Sequence, residues 1–216
     1  VGLRYRAVIF DLDGTLVDSY AALTEAVNHA RALHGLSHIE TARIRELVGH
    51  GLEKLLQRAF DVTDIPASVR EAFEARYDAI CCEQSRVLDD VVPTLAELSH
   101  LGVEMAVCTN KPTFFSKKIL DSFDLSAHFR AIVGPDLAGA RKPDPRHVLR
   151  TLGETGCSAR EALMVGDMPI DVEAARNSGM DVAVVPTGTS SSEELRQARP
   201  DHMLSRFSEL LKVVRS

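Results

Sequence analysis

Residues 7–18 read Ala-Val-Ile-Phe-Asp-Leu-Asp-Gly-Thr-Leu-Val-Asp. An unbroken apolar run, Ala7 to Phe10, gives way at once to two carboxylates, Asp11 and Asp13. A continuous apolar run of this length suits a strand buried on both faces, as in the interior of a parallel sheet. Side chains alternate along a strand, so a strand that continued would turn Asp11 and Asp13 to one side and Leu12 to the other. Gly14 then permits a sharp turn. The carboxyl ends of strands are where open α/β sheets bind their ligands. A buried pair of acids also needs a cation or a proton beside it.

The segment that follows is expected to be wholly helical up to residue 89. Leu23, Ala26, Val27, Ala30 and Leu33 form one helical face, with Asp18 or Ser19 as cap and Gly35 as terminator. A short helix through Ile44, Leu47 and Val48 stops at Gly49-His50-Gly51. Leu52, Leu55, Leu56, Ala59 and Phe60 then mark a third helix, and Pro66 opens a fourth that carries Val69, Phe73, Tyr77, Ile80 and Cys81. Four amphipathic helices with short connections make a bundle of their own.

Beyond residue 90 strands and helices alternate. Apolar strands at 103–108, 131–133, 162–165 and 182–185, with a short one at 202–204, are separated by helical patterns. This alternation predicts an α/β fold, a Rossmann-like parallel sheet with helices on both faces. The first strand belongs to that sheet, so the four helices interrupt it. The expected organisation is a core of residues 1–16 and 90–216 with an insertion over 17–89. The polar stretch Thr187 to Ser192 is the best candidate for a mobile loop.

Composition narrows the functional classes. Of the 216 residues, 45% are hydrophobic and 26% charged, and tryptophan is absent. Such a chain folds as one large domain or two small ones around an aliphatic core. A net charge of -6 disfavours nucleic acid, which needs a basic face. No apolar run is long enough for a transmembrane helix, and the first residues lack the apolar stretch of a secretory signal. Cys81, Cys82, Cys108 and Cys157 have no C-x-x-C spacing, which argues against zinc and for reduced thiols in the cytoplasm.

Four polar clusters lie at or between the predicted strand ends: Asp11/Asp13, Thr109/Asn110, Lys142, and Asp167/Asp171. In a parallel sheet the carboxyl ends share one edge, so these clusters can converge. Carboxylates without imidazoles or thiols suit a hard cation such as magnesium. A lysine and a hydroxyl beside them suit a phosphoryl group.

In order and spacing, Asp11-Leu12-Asp13-Gly14-Thr15, Thr109, Lys142-Pro143 and Gly166-Asp167-x-x-x-Asp171 resemble the four motifs of the haloacid dehalogenase superfamily, across almost the whole chain. The inserted helices resemble that superfamily's helical cap. Gly49-His50-Gly51 and Thr109-Asn110-Lys111 look most like those of phosphoglycolate phosphatases. The resemblance implies a magnesium-dependent phosphatase that works through an aspartyl-phosphate. Asp11 is then nucleophile and metal ligand. Asp13 is the acid–base and gives its carbonyl to the metal. Asp167 is the third protein ligand and Asp171 its support. Thr109, the Asn110 amide and Lys142 clamp the phosphate. Gly49, His50 and Gly51 are expected to select the substrate, with His50 reading a small carboxylate. The expected partner is a small phosphorylated metabolite, with no nucleic acid or membrane, and the chain is expected as a monomer or homodimer. Pyrophosphate, a nucleotide or a sugar phosphate are the alternative substrates. Leu52 stands where a sugar phosphomutase carries an arginine. A receiver-like phosphoaspartate module is the alternative of another class, but it would keep its paired acids adjacent and have no helical insertion.

Overall fold

The computed structural model describes residues 2–215. The chain enters through β1 (Ala7–Phe10), turns at Gly14, and forms β2 (Val17–Asp18), which pairs antiparallel with β3 (Arg86–Val87) on the return. Between these two short strands lie α1 (Tyr20–Leu33), α2 (Thr41–Leu47), α3 (Leu52–Phe60) and α4 (Ala67–Ile80). The insertion therefore leaves and re-enters through a narrow ribbon, extended by a hydrogen bond of 3.0 Å from Leu88 N–H to Leu16 O. The segment up to residue 89 is therefore not wholly helical, because two-residue strands have no periodicity to read.

The remainder alternates as expected: α5 (Val91–His100), β4 (Glu104–Cys108), α6 (Thr113–Ser122), β5 (Ile132–Val133), α7 (Pro135–Ala138), α8 (Pro145–Gly153), β6 (Ala162–Gly166), α9 (Pro169–Asn177), β7 (Asp181–Val184), α10 (Ser192–Gln197), β8 (His202–Met203) and α11 (Leu210–Arg215). Six strands form one parallel sheet in the order β5-β4-β1-β6-β7-β8. β1 is flanked on both sides, which explains why all four of its residues are apolar and fully buried. Its alternating side chains serve two cores. Val8 and Phe10 pack with the insertion, α5, α6 and α11, while Ala7 and Ile9 pack with α8, α9 and α10. From β1 the chain winds outward through β4 and β5, then returns to β6 and winds the other way. The order thus reverses between β1 and β6, the point at which doubly wound sheets open a crevice for a ligand.

The start of α1 departs from expectation. The Ser19 hydroxyl does not cap the helix. It donates to Asp13 at 2.5 Å, and Asp18 accepts the Tyr20 N–H at 3.2 Å. Among the described residues no helix is long and apolar enough to cross a membrane. The cysteines are free thiols, and Cys81 and Cys108 are buried.

Candidate active site

Three strand ends bring the polar clusters together. Asp11 follows β1 and is held by its own N–H to Val165 O at 2.9 Å, which continues the β1–β6 pairing one step past the strand. Asp167 follows β6, and Asp171 lies in the first turn of α9, where its carboxylate accepts the Met168 N–H at 3.1 Å. Carboxylate oxygens of Asp11, Asp167 and Asp171 come within 4.8 Å of one another, all on buried residues. Lys142, on the loop before α8, is buried with them. Its ammonium lies 2.8 Å from Asp11 and 2.7 Å from Asp171.

Three acids and one lysine leave an excess of negative charge. Burial, tempered by Lys142, raises the Asp11 pKa to about 6, and burial with the charges of Asp11 and Asp171 lifts Asp167 well above the usual carboxylate range. Lys142 is held in its charged form. Burial alone would lower its pKa, but Asp11 and Asp171 outweigh it and raise the value. An oxygen-only donor set with an uncompensated charge fits a hard divalent cation. Asp11 and Asp167 would hold it, with Asp171 close enough to contribute.

Asp167 is packed on every side. It accepts a hydrogen bond from the Thr15 hydroxyl at 3.1 Å, and Gly188 lies so close that a Cβ there would stand 1.5 Å from its Oδ2. The stretch Thr187 to Ser192, expected as a mobile loop, is tied to the site through Thr187 and Gly188. The Thr187 hydroxyl donates to Gly14 O at 2.6 Å, and Gly188 O accepts from Arg45 of α2 at 3.2 Å. Gly188 and its neighbours gave no signal in the sequence beyond a polar composition.

Asp13 lies at the mouth of the cluster. It is gripped by Ser19 and by the Lys111 ammonium, 2.6 Å away. Thr109 follows β4, with its N–H on Val133 O at 3.1 Å. Asn110 works through its side chain. Its carbonyl accepts the Lys142 N–H at 2.8 Å, and its amide donates to Lys142 O at 3.1 Å and to Gly49 O at 3.0 Å. That last bond joins the sheet edge to the turn between α2 and α3. Gly49 and Gly51 both have positive φ, and a Cβ on Gly51 would lie 3.2 Å from Asn110 O, so the turn approaches the sheet backbone as only glycine can.

Asp11, Asp13, Thr109, Asn110, Gly49 and Gly51 line a cleft that opens to solvent. Its remaining wall is mainly apolar, with Leu23, Leu52, Leu55, Phe73 and Phe115. His50 is not among the lining residues. It is half-buried, and burial with the nearby Arg58 and Lys54 lowers its pKa. Lys111, Ser19, Thr15 and Tyr20 are site neighbours that pattern reading did not assign. Lys111 sits directly after Thr109-Asn110, so its position three residues past the end of β4 was the available signal.

A doubly wound sheet whose switch point gathers acids and a lysine beneath a helical insertion is the architecture of a phosphohydrolase. The chain belongs to the haloacid dehalogenase-like hydrolases, whose family model matches residues 8–185. It is 34% identical over 215 residues to a phosphoglycolate phosphatase of Photorhabdus laumondii, covering 97% of this chain and 92% of the relative. It is 37% identical over 192 residues to one of Caulobacter vibrioides, covering 86% and 81%. A crystal structure of a predicted phosphoglycolate phosphatase from Haemophilus somnus superposes with a TM-score of 0.90 at 28% identity, covering 97% of this chain and 98% of that one. The chain is a phosphatase of this family, most like the phosphoglycolate phosphatases.

Proposed function

We propose that the chain hydrolyses phosphoglycolate, with magnesium, through an aspartyl-phosphate on Asp11. The observation that carries this reading is the buried group Asp11, Asp167, Asp171 and Lys142, which meets a cleft through Asp11. The similarity to phosphoglycolate phosphatases over nearly the whole chain supports the substrate.

An Asp11 oxygen attacks phosphorus, and the bond from phosphorus to the ester oxygen breaks. The departing alkoxide takes a proton from Asp13. Water then attacks phosphorus and gives its proton to Asp13, which releases inorganic phosphate and restores Asp11. Lys142, Thr109 and the Asn110 amide offset the charge that builds on the phosphoryl oxygens. Magnesium, when bound, neutralises the acids and polarises the phosphoryl oxygen. The boundary of the insertion at residues 17–89 belongs to this reading. The core meets only the transferred phosphoryl, so discrimination among alcohols must come from the cleft wall, including the turn at Gly49–Gly51 that lines it.

The test is kcat/KM on phosphoglycolate, pyrophosphate, a nucleoside monophosphate and a sugar phosphate, with magnesium and with EDTA. Phosphoglycolate is expected to lead, and EDTA to abolish turnover until magnesium is restored. Full turnover in EDTA, or a lead for pyrophosphate, overturns the proposal. Asp11→Asn should abolish both turnover and phosphoenzyme, and Asp13→Asn should cost about 10²- to 10⁴-fold in kcat.

A further inference from the structure

Lys111 is the only cation among the described residues that line the cleft. It is buried, and its ammonium has two neighbours: the Asp13 carboxylate at 2.6 Å, and the ring of Tyr77, whose centroid lies 5.1 Å away. The Tyr77 hydroxyl is buried in the same wall without a hydrogen bond of good geometry, although the ammonium is near enough to weigh on its ionisation. Around this pair the wall is hydrocarbon, from Leu23, Leu55, Phe73 and Phe115. A desolvated ammonium in an apolar wall is costly to place and strongly favours an anion that reaches it.

The second anionic group of the substrate was expected to meet His50. That residue is outside the cleft lining, and its lowered pKa favours the neutral ring. We infer that Lys111 is the residue that selects the substrate, by pairing with a carboxylate on the leaving group and exchanging Asp13 for it. The Tyr77 hydroxyl is placed to donate to the same carboxylate. In phosphoglycolate only a methylene separates the ester oxygen from the carboxylate. A phosphoryl group at Asp11 and an alkoxide beside Asp13 therefore bring that carboxylate to the residue already touching Asp13. The exchange releases Asp13 from its ion pair when its proton is needed. The cleft would then take small phosphate esters that carry one further negative charge close to the ester oxygen. This inference rests on the phosphatase reading above and adds the residue that discriminates.

Ethyl phosphate is the matched control, because its leaving group is similar in size and equally in need of protonation but carries no charge. The wild-type enzyme should prefer phosphoglycolate to ethyl phosphate in kcat/KM by at least about tenfold. Lys111→Met should lower kcat/KM for phosphoglycolate by about ten- to a hundredfold, the loss expected for a hydrogen bond to a charged group, mostly through KM. Ethyl phosphate should lose much less, so that the preference for phosphoglycolate falls by about tenfold or more, and inhibition by inorganic phosphate should stay as it was. Inhibition of the unmodified enzyme is an independent reading, in which phosphonoacetate should bind more tightly than ethylphosphonate. Equal losses on both esters would show that Lys111 acts only by positioning Asp13, and would overturn the inference. So would no loss on either, or equal inhibition by the two phosphonates. If the wild type turns over both esters without preference, selection by Lys111 fails and the phosphatase reading stands. If it turns over neither with magnesium present, the phosphatase reading itself fails.

Discussion

Gly188 carries its consequence in what it lacks. A methyl group there would overlap the Asp167 carboxylate, so Gly188→Ala must displace either the loop or the acid. Far-ultraviolet circular dichroism should stay native while kcat/KM falls more than about tenfold, a loss in line with a small misplacement at a reacting centre. Unchanged kinetics would show that Asp167 has room. The same acids set a second expectation. Asp11, at about 6, and Asp167, raised further by burial and neighbouring charge, must both lose protons before they can bind a cation. Magnesium a hundredfold above its Kd at pH 7 should therefore stabilise the protein by about 2.7 kcal/mol there, and the same concentration should stabilise it less at pH 5. Equal shifts in Tm at the two pH values would argue against these ligands. His147 of α8 behaves differently. It is buried, its Nε2 lies 3.1 Å from Val133 O, and its Nδ1 has no partner, so burial lowers its pKa to about 4. Between the ordinary value near 6.5 and 4 the unfolded chain takes up a proton that the folded chain refuses. Stability should fall as pH drops through that window, by up to about 3 kcal/mol from this residue. His147→Phe should flatten the urea midpoint between pH 7 and pH 5, and an unaltered slope would assign the loss to other groups. Asp11, Asp13 and Asp167 were legible because each closely follows a strand. The glycine and histidine were not, since their roles depend on partners 21 and 14 residues or more away in sequence.

At the scale of elements, whatever repeats was readable and whatever does not repeat was hidden. β1 announces itself by four apolar residues that face two cores, and α3 by its spacing of Leu55, Leu56, Ala59 and Phe60. The β2–β3 ribbon and α7 are too short for a pattern, and Ser19 looks like a helix cap because the carboxylate it serves is six residues back in sequence. The contact of α2 with the 187–191 loop was equally invisible, and it has a testable role. The Arg45 guanidinium lies 4.0 Å above the Tyr20 ring and donates to Gly188 O. It thereby ties the insertion to the loop that presses on Asp167. Arg45→Leu should cost about 1 kcal/mol by urea titration, the scale of one partly buried cation–π contact. Because the loop braces Asp167, the variant should also weaken magnesium, measured as the concentration that gives half-maximal activity. Loss of stability with no change in magnesium dependence would show that the contact is structural alone.

For the molecule as a whole, the two-part organisation inferred from sequence and the packing of the core bear on one another. The helices of residues 20–80 are an insertion by chain order, yet Leu23, Ile44, Leu56 and Phe73 belong to the same buried cluster as Val8 and Phe10 of the central strand. The junction is aromatic. Tyr77 of α4 stacks on Phe73 with centroids 5.4 Å apart and meets Phe115 of α6 edge-on at 5.0 Å. Four short helices separated from such a junction would lose much of the apolar burial that holds them, since helices of this length are marginal alone. The insertion is therefore expected to unfold with the sheet. Native-state hydrogen exchange should give amides in α1 and α4 an opening free energy close to that of β1 and β6. Phe115→Ala, which removes a ring from the junction, should lower protection on both sides by a similar amount, about 3 kcal/mol for a buried phenylalanine. If instead α1 and α4 exchange through a much cheaper opening, and Phe115→Ala leaves β1 and β6 as protected as before, the insertion is an independent unit. The shared core would then be a contact between two domains.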